Sequence, residues 1–176
     1  MLGAAQPEQS IMRAAVLLTT IAVAALLLQT TLLPLAALGR ATPDLLLIIC
    51  VYLGLHQHSV GGAVGAFLLG YLQDAFSGSV VGLNAFAMCL VFTLVYLTSR
   101  HLWVDNAISK IVLVFLASVL KTTVVLLLIT CFLSVATVWQ TVANYLLLEA
   151  ALAAVLSPAM FSVLARTQQL AVSEEE

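Results

Sequence analysis

Ionisable side chains that could carry out chemistry are few in this 176-residue chain. Asp44 and Asp74 are carboxylates, and paired carboxylates can act as a general acid and a general base. Lys121 and Glu149 lie inside long apolar runs. No histidine, serine or cysteine arrangement typical of a nucleophile accompanies either pair, and no metal-ligand spacing is present. The residue types therefore predict no catalytic residue, no metal site and no cofactor.

The densest set of polar groups is the stretch "GYLQDAFSGSVVGLN", residues 70–84. We expect Asp74 to bind backbone groups of the glycine loop that follows it, since short polar side chains readily bond nearby backbone. Gly78 and Gly82 can adopt positive φ in a tight turn. Asn84 is placed to cap or hydrogen-bond the start of the next helix. These residue types predict a structural joint between two helices.

Composition determines what must surround these residues. The chain is 63% hydrophobic and only 8% charged, whereas soluble domains are roughly half apolar and a quarter charged. This composition predicts a multi-pass integral membrane protein in contact with membrane lipids. The net charge of −2 gives no basic surface for nucleic acid, so no nucleic-acid partner is expected.

The predicted fold is all-α, with about six transmembrane helices in one compact bundle. A membrane span needs about 20 apolar residues, and four segments satisfy this: 11–33, 83–102, 108–133 and 141–164. The polar sequence "LHQHSVGG" divides the region 43–75 into two short helices, 43–57 and 59–74. These two are either thin or tilted spans or a re-entrant hairpin. We expect one transmembrane domain over 1–170 and a short acidic tail over 171–176.

Lysine and arginine near the span ends predict the orientation. With six spans and a cytoplasmic N-terminus, Arg13, Arg100, Lys110 and Arg166 are cytoplasmic and Arg40 alone is outside. Both chain termini are therefore expected in the cytoplasm.

Depth counting places the two aspartates near the outer interface. Asp74 lies about 22 Å along its helix from Ser59 at the cytoplasmic side. Asp44 follows Pro43 and begins the second helix, where a proline and an acid are typical of the first turn. We expect Asp44 to cap that helix.

Lys121 and Glu149 are predicted near mid-bilayer. Lys121 is about 16 Å along its helix from Lys110, and Glu149 is about 12 Å from Thr141. A charge at that depth costs at least about 2.5–3.5 kcal/mol on insertion scales, and pairing would offset the cost. We therefore expect a Lys121–Glu149 ion pair with a role in structure or assembly. Partner contact and a ligand or proton path are the alternatives.

A stripe of small residues, Gly62, Ala66 and Gly70, recurs on one face of the predicted third helix. Small residues at this spacing let helices approach closely in lipid. The stripe predicts helix packing, either within this protein or against a partner helix.

Two motifs, "PDLLLIICVYLGL" and "GYLQDAFSGSVVGLNAFA", resemble the MreD family of bacterial rod-shape-determining membrane proteins. The matching positions are Pro43, Asp44, Gly70, Gln73, Asp74, Gly78, Gly82 and Asn84. The resemblance covers the whole chain in architecture, while its specific motifs lie within 43–84.

The resemblance implies a non-catalytic subunit of the cell-elongation machinery in the bacterial inner membrane. Its implied partner is MreC. Through MreC or directly, it would act with the elongation glycosyltransferase and a penicillin-binding transpeptidase, and indirectly with the MreB filament. The implied role is to scaffold or regulate peptidoglycan synthesis and so maintain rod shape. The family fold is similar to the substrate-binding subunits of energy-coupling-factor transporters, so a small-molecule, vitamin-like binding subunit is the alternative function.

Overall fold

The computed structural model describes residues 19–32, 43–57, 60–78, 80–99, 106–133 and 138–173, without the side chains at 32, 107, 132–145 and 167–173. These residues form six helices and no strand, which confirms the all-α prediction. The helices are α1 (Thr19–Thr31), with a π-helical turn at Leu28–Leu32, α2 (Leu45–His56), α3 (Val60–Ser77), α4 (Leu83–Ser99), α5 (Ala107–Leu133) and α6 (Val138–Ser173).

The second helix is the centre of the fold. Every residue from Leu45 to Gly54 is buried, and α2 contacts α3, α4, α5 and α6. A helix that is apolar on all sides is stable only when it is surrounded, and "LLLIICVYLG" has no polar face. Its 12 residues give a length of about 18 Å. The site described below lies at its N-terminal end.

The chain breaks between α2 and α3 at the polar sequence, as predicted. α2 ends at His56 and α3 begins at Val60. Two short spans and a re-entrant hairpin both contain this pair of helices, so both arrangements stay predictions.

Within the part of the chain that the structure describes, two helical stretches are long and apolar enough to cross a membrane, Ile108–Cys131 and Leu146–Arg166. Three helices are apolar but shorter, Thr19–Thr31, Leu45–His56 and Leu83–Ser99. The last helix is longer than the predicted span 141–164: α6 has 36 residues, about 54 Å by helical rise. The start of the predicted first span, 11–18, lies outside the described residues.

A proline lies inside the last helix, at position 158. Pro158 has no N–H and leaves the carbonyl of Ala154 without its usual helical donor. The hydroxyl of Ser157, which is fully buried, donates to that carbonyl at 2.7 Å. The neighbouring serine thus satisfies the acceptor that the proline frees, and the helix continues.

The small-residue stripe of α3 packs inside the chain, which was one of its two predicted roles. Gly62, Ala66 and Gly70 are all buried. A methyl group on Gly70 would lie 2.5 Å from Cα of Ala85 at the start of α4, and one on Gly62 would lie 3.0 Å from the Phe92 ring. The stripe therefore brings the backbones of α3 and α4 together.

Candidate functional site

Asp44 uses its two carboxylate oxygens in different directions. It is the N-cap of α2, and its Oδ1 accepts a hydrogen bond from the Leu47 backbone N–H at 3.1 Å. Pro43, directly before it, is fully buried. Oδ2 accepts from Nε2 of Gln73 on α3 at 3.2 Å. Capping the orphan N–H groups of a helix also places the acid in the favourable field of the helix N-terminus.

Lys121, from the middle of α5, completes a closed triangle with these two side chains. Its ammonium forms a salt bridge with Oδ2 of Asp44 and donates to Oε1 of Gln73 at 2.6 Å. The Lys121 and Asp44 side chains are only 7% and 17% exposed. A buried ion pair is stable only when its remaining donors and acceptors are satisfied. Gln73 provides this, since it donates to the acid and accepts from the lysine.

The predicted Lys121–Glu149 ion pair is not formed. Lys121 pairs with Asp44 instead, and Glu149 has no hydrogen-bond or ion-pair partner among the described residues. The depth count placed Asp44 at the outer interface and Lys121 near mid-bilayer. Because the N-terminus of the short, buried α2 lies beside the middle of α5, the two residues are in fact at the same level.

Asp74 organises the junction between α3 and α4. It is 1% exposed, and both of its oxygens accept hydrogen bonds from the loop and the start of α4. Oδ2 accepts from the backbone N–H groups of Gly82 and Ala85 at 2.8 and 3.2 Å. Oδ1 accepts from the backbone N–H and the side-chain amide of Asn84 at 3.0 and 2.9 Å.

The loop around Asp74 needs its glycines for conformation. Gly78 has φ of +63° and Gly82 has φ of +102°, which L-residues with a Cβ rarely adopt. Their turn brings the start of α4 back to Asp74. The aspartate therefore works as a structural anchor, bound to the loop as the residue types predict.

A cavity of about 190 Å³ lies beside these networks. Six polar side chains line it, each from a different helix or, for Asp44, from the N-cap of α2: Gln29, Asp44, Gln73, Asn84, Lys121 and Glu149. Ser118, Thr122 and Val125 of α5 complete the lining. Lys121 and Glu149 therefore do share one site, although they do not pair. Asn84 connects the cavity to the α3–α4 junction, because it also donates to Asp74.

Sequence reasoning missed four residues of this cavity. Ser118, Thr122 and Val125 line it from the same helix as Lys121. Counted from Ser118, the four α5 residues including Lys121 fall at i, i+3, i+4 and i+7, which is the spacing of one helix face, so a helical projection around Lys121 would have found them. Gln29 gave a weaker signal, as a single amide in the apolar run of α1.

The side chains at the site can form hydrogen bonds and ion pairs. Within the described residues no group of three or more histidine, cysteine, aspartate or glutamate side chains could hold a metal ion. The polar side chains that line the cavity are acids, amides, one amine and two hydroxyls, and Val125 is the apolar one. These groups can hold helices together and can bind a polar or charged group.

The motifs that form these contacts lie in a chain that matches one family as a whole. The family model for "rod shape-determining protein MreD" matches residues 9–167. The chain belongs to the MreD family. Comparisons with curated proteins and with solved structures gave no significant match. MreD proteins are non-enzymatic and belong to the Mre shape-determining system. This MreD therefore has a role in rod-shape determination.

Proposed function

We propose that this MreD is a multi-pass inner-membrane subunit of the bacterial cell-elongation machinery, which works with MreC to scaffold or regulate peptidoglycan synthesis. The observation that carries the proposal is the family match over residues 9–167. The elongation glycosyltransferase and the penicillin-binding transpeptidase are its proposed further partners, directly or through MreC. The MreB filament is contacted indirectly.

A six-span bundle with both termini in the cytoplasm is the proposed membrane arrangement. It is supported by two helical stretches of sufficient length and by the positive charges near the span ends. Large apolar side chains on the outer face of α3 also support it, since Val64, Phe67, Leu68 and Tyr71 are about half exposed. In a bilayer such a surface contacts lipid tails or the apolar helix of a partner.

Co-purification with MreC tests this function. The tagged chain, produced in its own host and extracted in a mild detergent, is expected to retain MreC from the same cells. The variant Gly70→Ala, which disrupts the α3–α4 junction, is expected to lower both the amount of folded protein and the amount of MreC recovered. Depletion of the chain is expected to turn rods into spheres. Unchanged cell width after depletion, with no MreC in the eluate, would reject the proposal.

A small-molecule binding subunit of a transporter is the second candidate, and the polar cavity is the observation that favours it. Its volume of about 190 Å³ is below the roughly 300–1,000 Å³ of pockets that enclose drug-sized ligands. A vitamin-sized molecule therefore needs more room than the helices provide. Mass spectrometry of the purified chain is expected to find no stoichiometric vitamin, and finding one would favour the transporter function.

A further inference from the structure

Among the acids and amides on the cavity, two groups have no hydrogen-bond or ion-pair partner within the described residues. Asp44, Gln73 and Lys121 satisfy one another, and Asn84 is bound to Asp74. Glu149 has no such contact. Oε1 of Gln29 is buried and has no hydrogen-bond donor. Both unsatisfied groups are hydrogen-bond acceptors.

The charges of the cavity leave a negative excess. Lys121 balances Asp44, so the carboxylate of Glu149 is the uncompensated charge. Glu149 is half-buried, and a charged group that is withdrawn from water is costly unless it is paired and hydrogen-bonded. The ammonium of Lys121 is bound to Asp44 and to the carbonyl oxygen of Gln73, and it forms no hydrogen bond or salt bridge with Glu149 among the described residues. A cation that also donates hydrogen bonds would satisfy both Glu149 and Gln29.

The volume of the cavity limits the size of that cation. About 190 Å³ corresponds to roughly six water molecules at about 30 Å³ each. This is enough for the head of an amine or a guanidine with a short carbon chain. Ser118, Thr122 and Val125 line the α5 side of the cavity beside Lys121, and the apolar Val125 suits a group with one apolar end.

We propose that this cavity binds an alkylammonium or alkylguanidinium group, with Glu149 as its charge partner and Gln29 as a hydrogen-bond acceptor. The group belongs either to a free small amine or to a basic side chain of a partner protein. The site rests on the cavity and its unsatisfied acceptors and does not depend on the proposed role in cell elongation.

The test is thermal unfolding of the purified full-length chain in detergent with methylguanidinium chloride. The midpoint is expected to rise with concentration, since a ligand that binds only the folded state stabilises it. Tetramethylammonium chloride at equal ionic strength carries the same charge without N–H donors and is expected to give no rise. Sodium chloride is the third salt and serves as the control for ionic strength. A rise of the same size with all three salts would overturn the proposal, and this comparison needs no variant.

Glu149→Gln is the decisive variant, because it keeps the shape of the side chain and removes its charge. We expect it to weaken methylguanidinium binding at least about tenfold, as hydrogen bonds to charged groups are the stronger class. Glu175→Gln removes an equal charge in the acidic tail and is expected to leave binding unchanged. Equal binding by the chain and its Glu149→Gln variant would contradict the proposal.

The source of the cation is distinguished by repeating the titration on the chain purified with its neighbouring proteins. If a partner's basic side chain fills the cavity, the methylguanidinium effect is present in the isolated chain and lost in the complex. If a free amine is the ligand, the effect persists in both samples. Either outcome supports the site, whereas no effect in the isolated chain overturns it.

Discussion

Replacing Gly70 by alanine should push α3 and α4 apart at the α3–α4 junction. The added methyl carbon would lie 2.5 Å from Cα and 2.7 Å from the backbone nitrogen of Ala85, and 2.6 Å from the carbonyl oxygen of Asn84. Carbon atoms in contact are normally about 3.5–4.0 Å apart. All three neighbours are backbone atoms, so no side-chain rotation can relieve the overlap, and the start of α4 must move by about 1 Å.

That movement has a second cost, because the same backbone is bound to Asp74. The N–H groups of Asn84 and Ala85 donate to its carboxylate at 3.0 and 3.2 Å. Overpacking typically costs about 1–3 kcal/mol, and one weakened hydrogen bond to a charged group adds about 1.5–3 kcal/mol. Alanine recovers only about 0.5–1 kcal/mol through its better helix propensity. The free energy of unfolding should therefore fall by about 2–5 kcal/mol.

Gly65 provides the matched control on the same helix. A methyl group there would lie 3.4 Å from a methyl carbon of Leu53, a tolerable contact with a flexible side chain. Gly65→Ala should be neutral or stabilising by up to about 1 kcal/mol. Both variants can be titrated with sodium dodecyl sulfate in mixed micelles, with helicity followed by circular dichroism. If Gly70→Ala were as stable as Gly65→Ala, the close backbone contact would not exist as described.

Three further predictions concern the polar contacts, and the same unfolding titration measures each. Asp74→Asn should destabilise the chain by at least about 2 kcal/mol, because an amide nitrogen would then face N–H donors; an unchanged unfolding midpoint would contradict the anchor role. Lys121→Met should cost about 3–5 kcal/mol by leaving a buried acid unpaired. Adding Asp44→Asn should recover at least half of that cost, and simple additivity of the two changes would argue against the ion pair. Ser157→Ala should cost about 1–3 kcal/mol because the carbonyl freed by the proline of α6 loses its donor, whereas the exposed Ser162→Ala should stay within about 0.5 kcal/mol; equal effects of the two serines would refute this role.

Local contacts were predictable from the sequence because few conformations satisfy them. Asp74 reaches partners only 8 to 11 residues away, and a loop with glycines at 78 and 82 can bend back over that distance. Asp44 caps its helix through a contact three residues away. Such contacts depend on residue type and short spacing, which the sequence states directly.

Composition and small-residue spacing were also informative, since they report on whole segments. The apolar runs predicted helices, and all six predicted helical segments contain a helix in the part of the chain that the structure describes. The stripe Gly62, Ala66 and Gly70 predicted close helix packing. It did not predict that α4 is the neighbour, because small residues determine how closely another helix can approach but not which helix that is.

The pairing of the buried charges was decided only by tertiary structure. Lys121 and its partner Asp44 are 77 residues apart, and Glu149 was an equally acceptable partner by charge and by its place on a neighbouring helix. Which acid pairs with Lys121 depends on the depth at which the short α2 begins. The depth of α2 follows from its burial on all sides rather than from its length. The sequence determined that the lysine needs an acid; the packing of α2 determined which acid it meets and left the other facing the cavity.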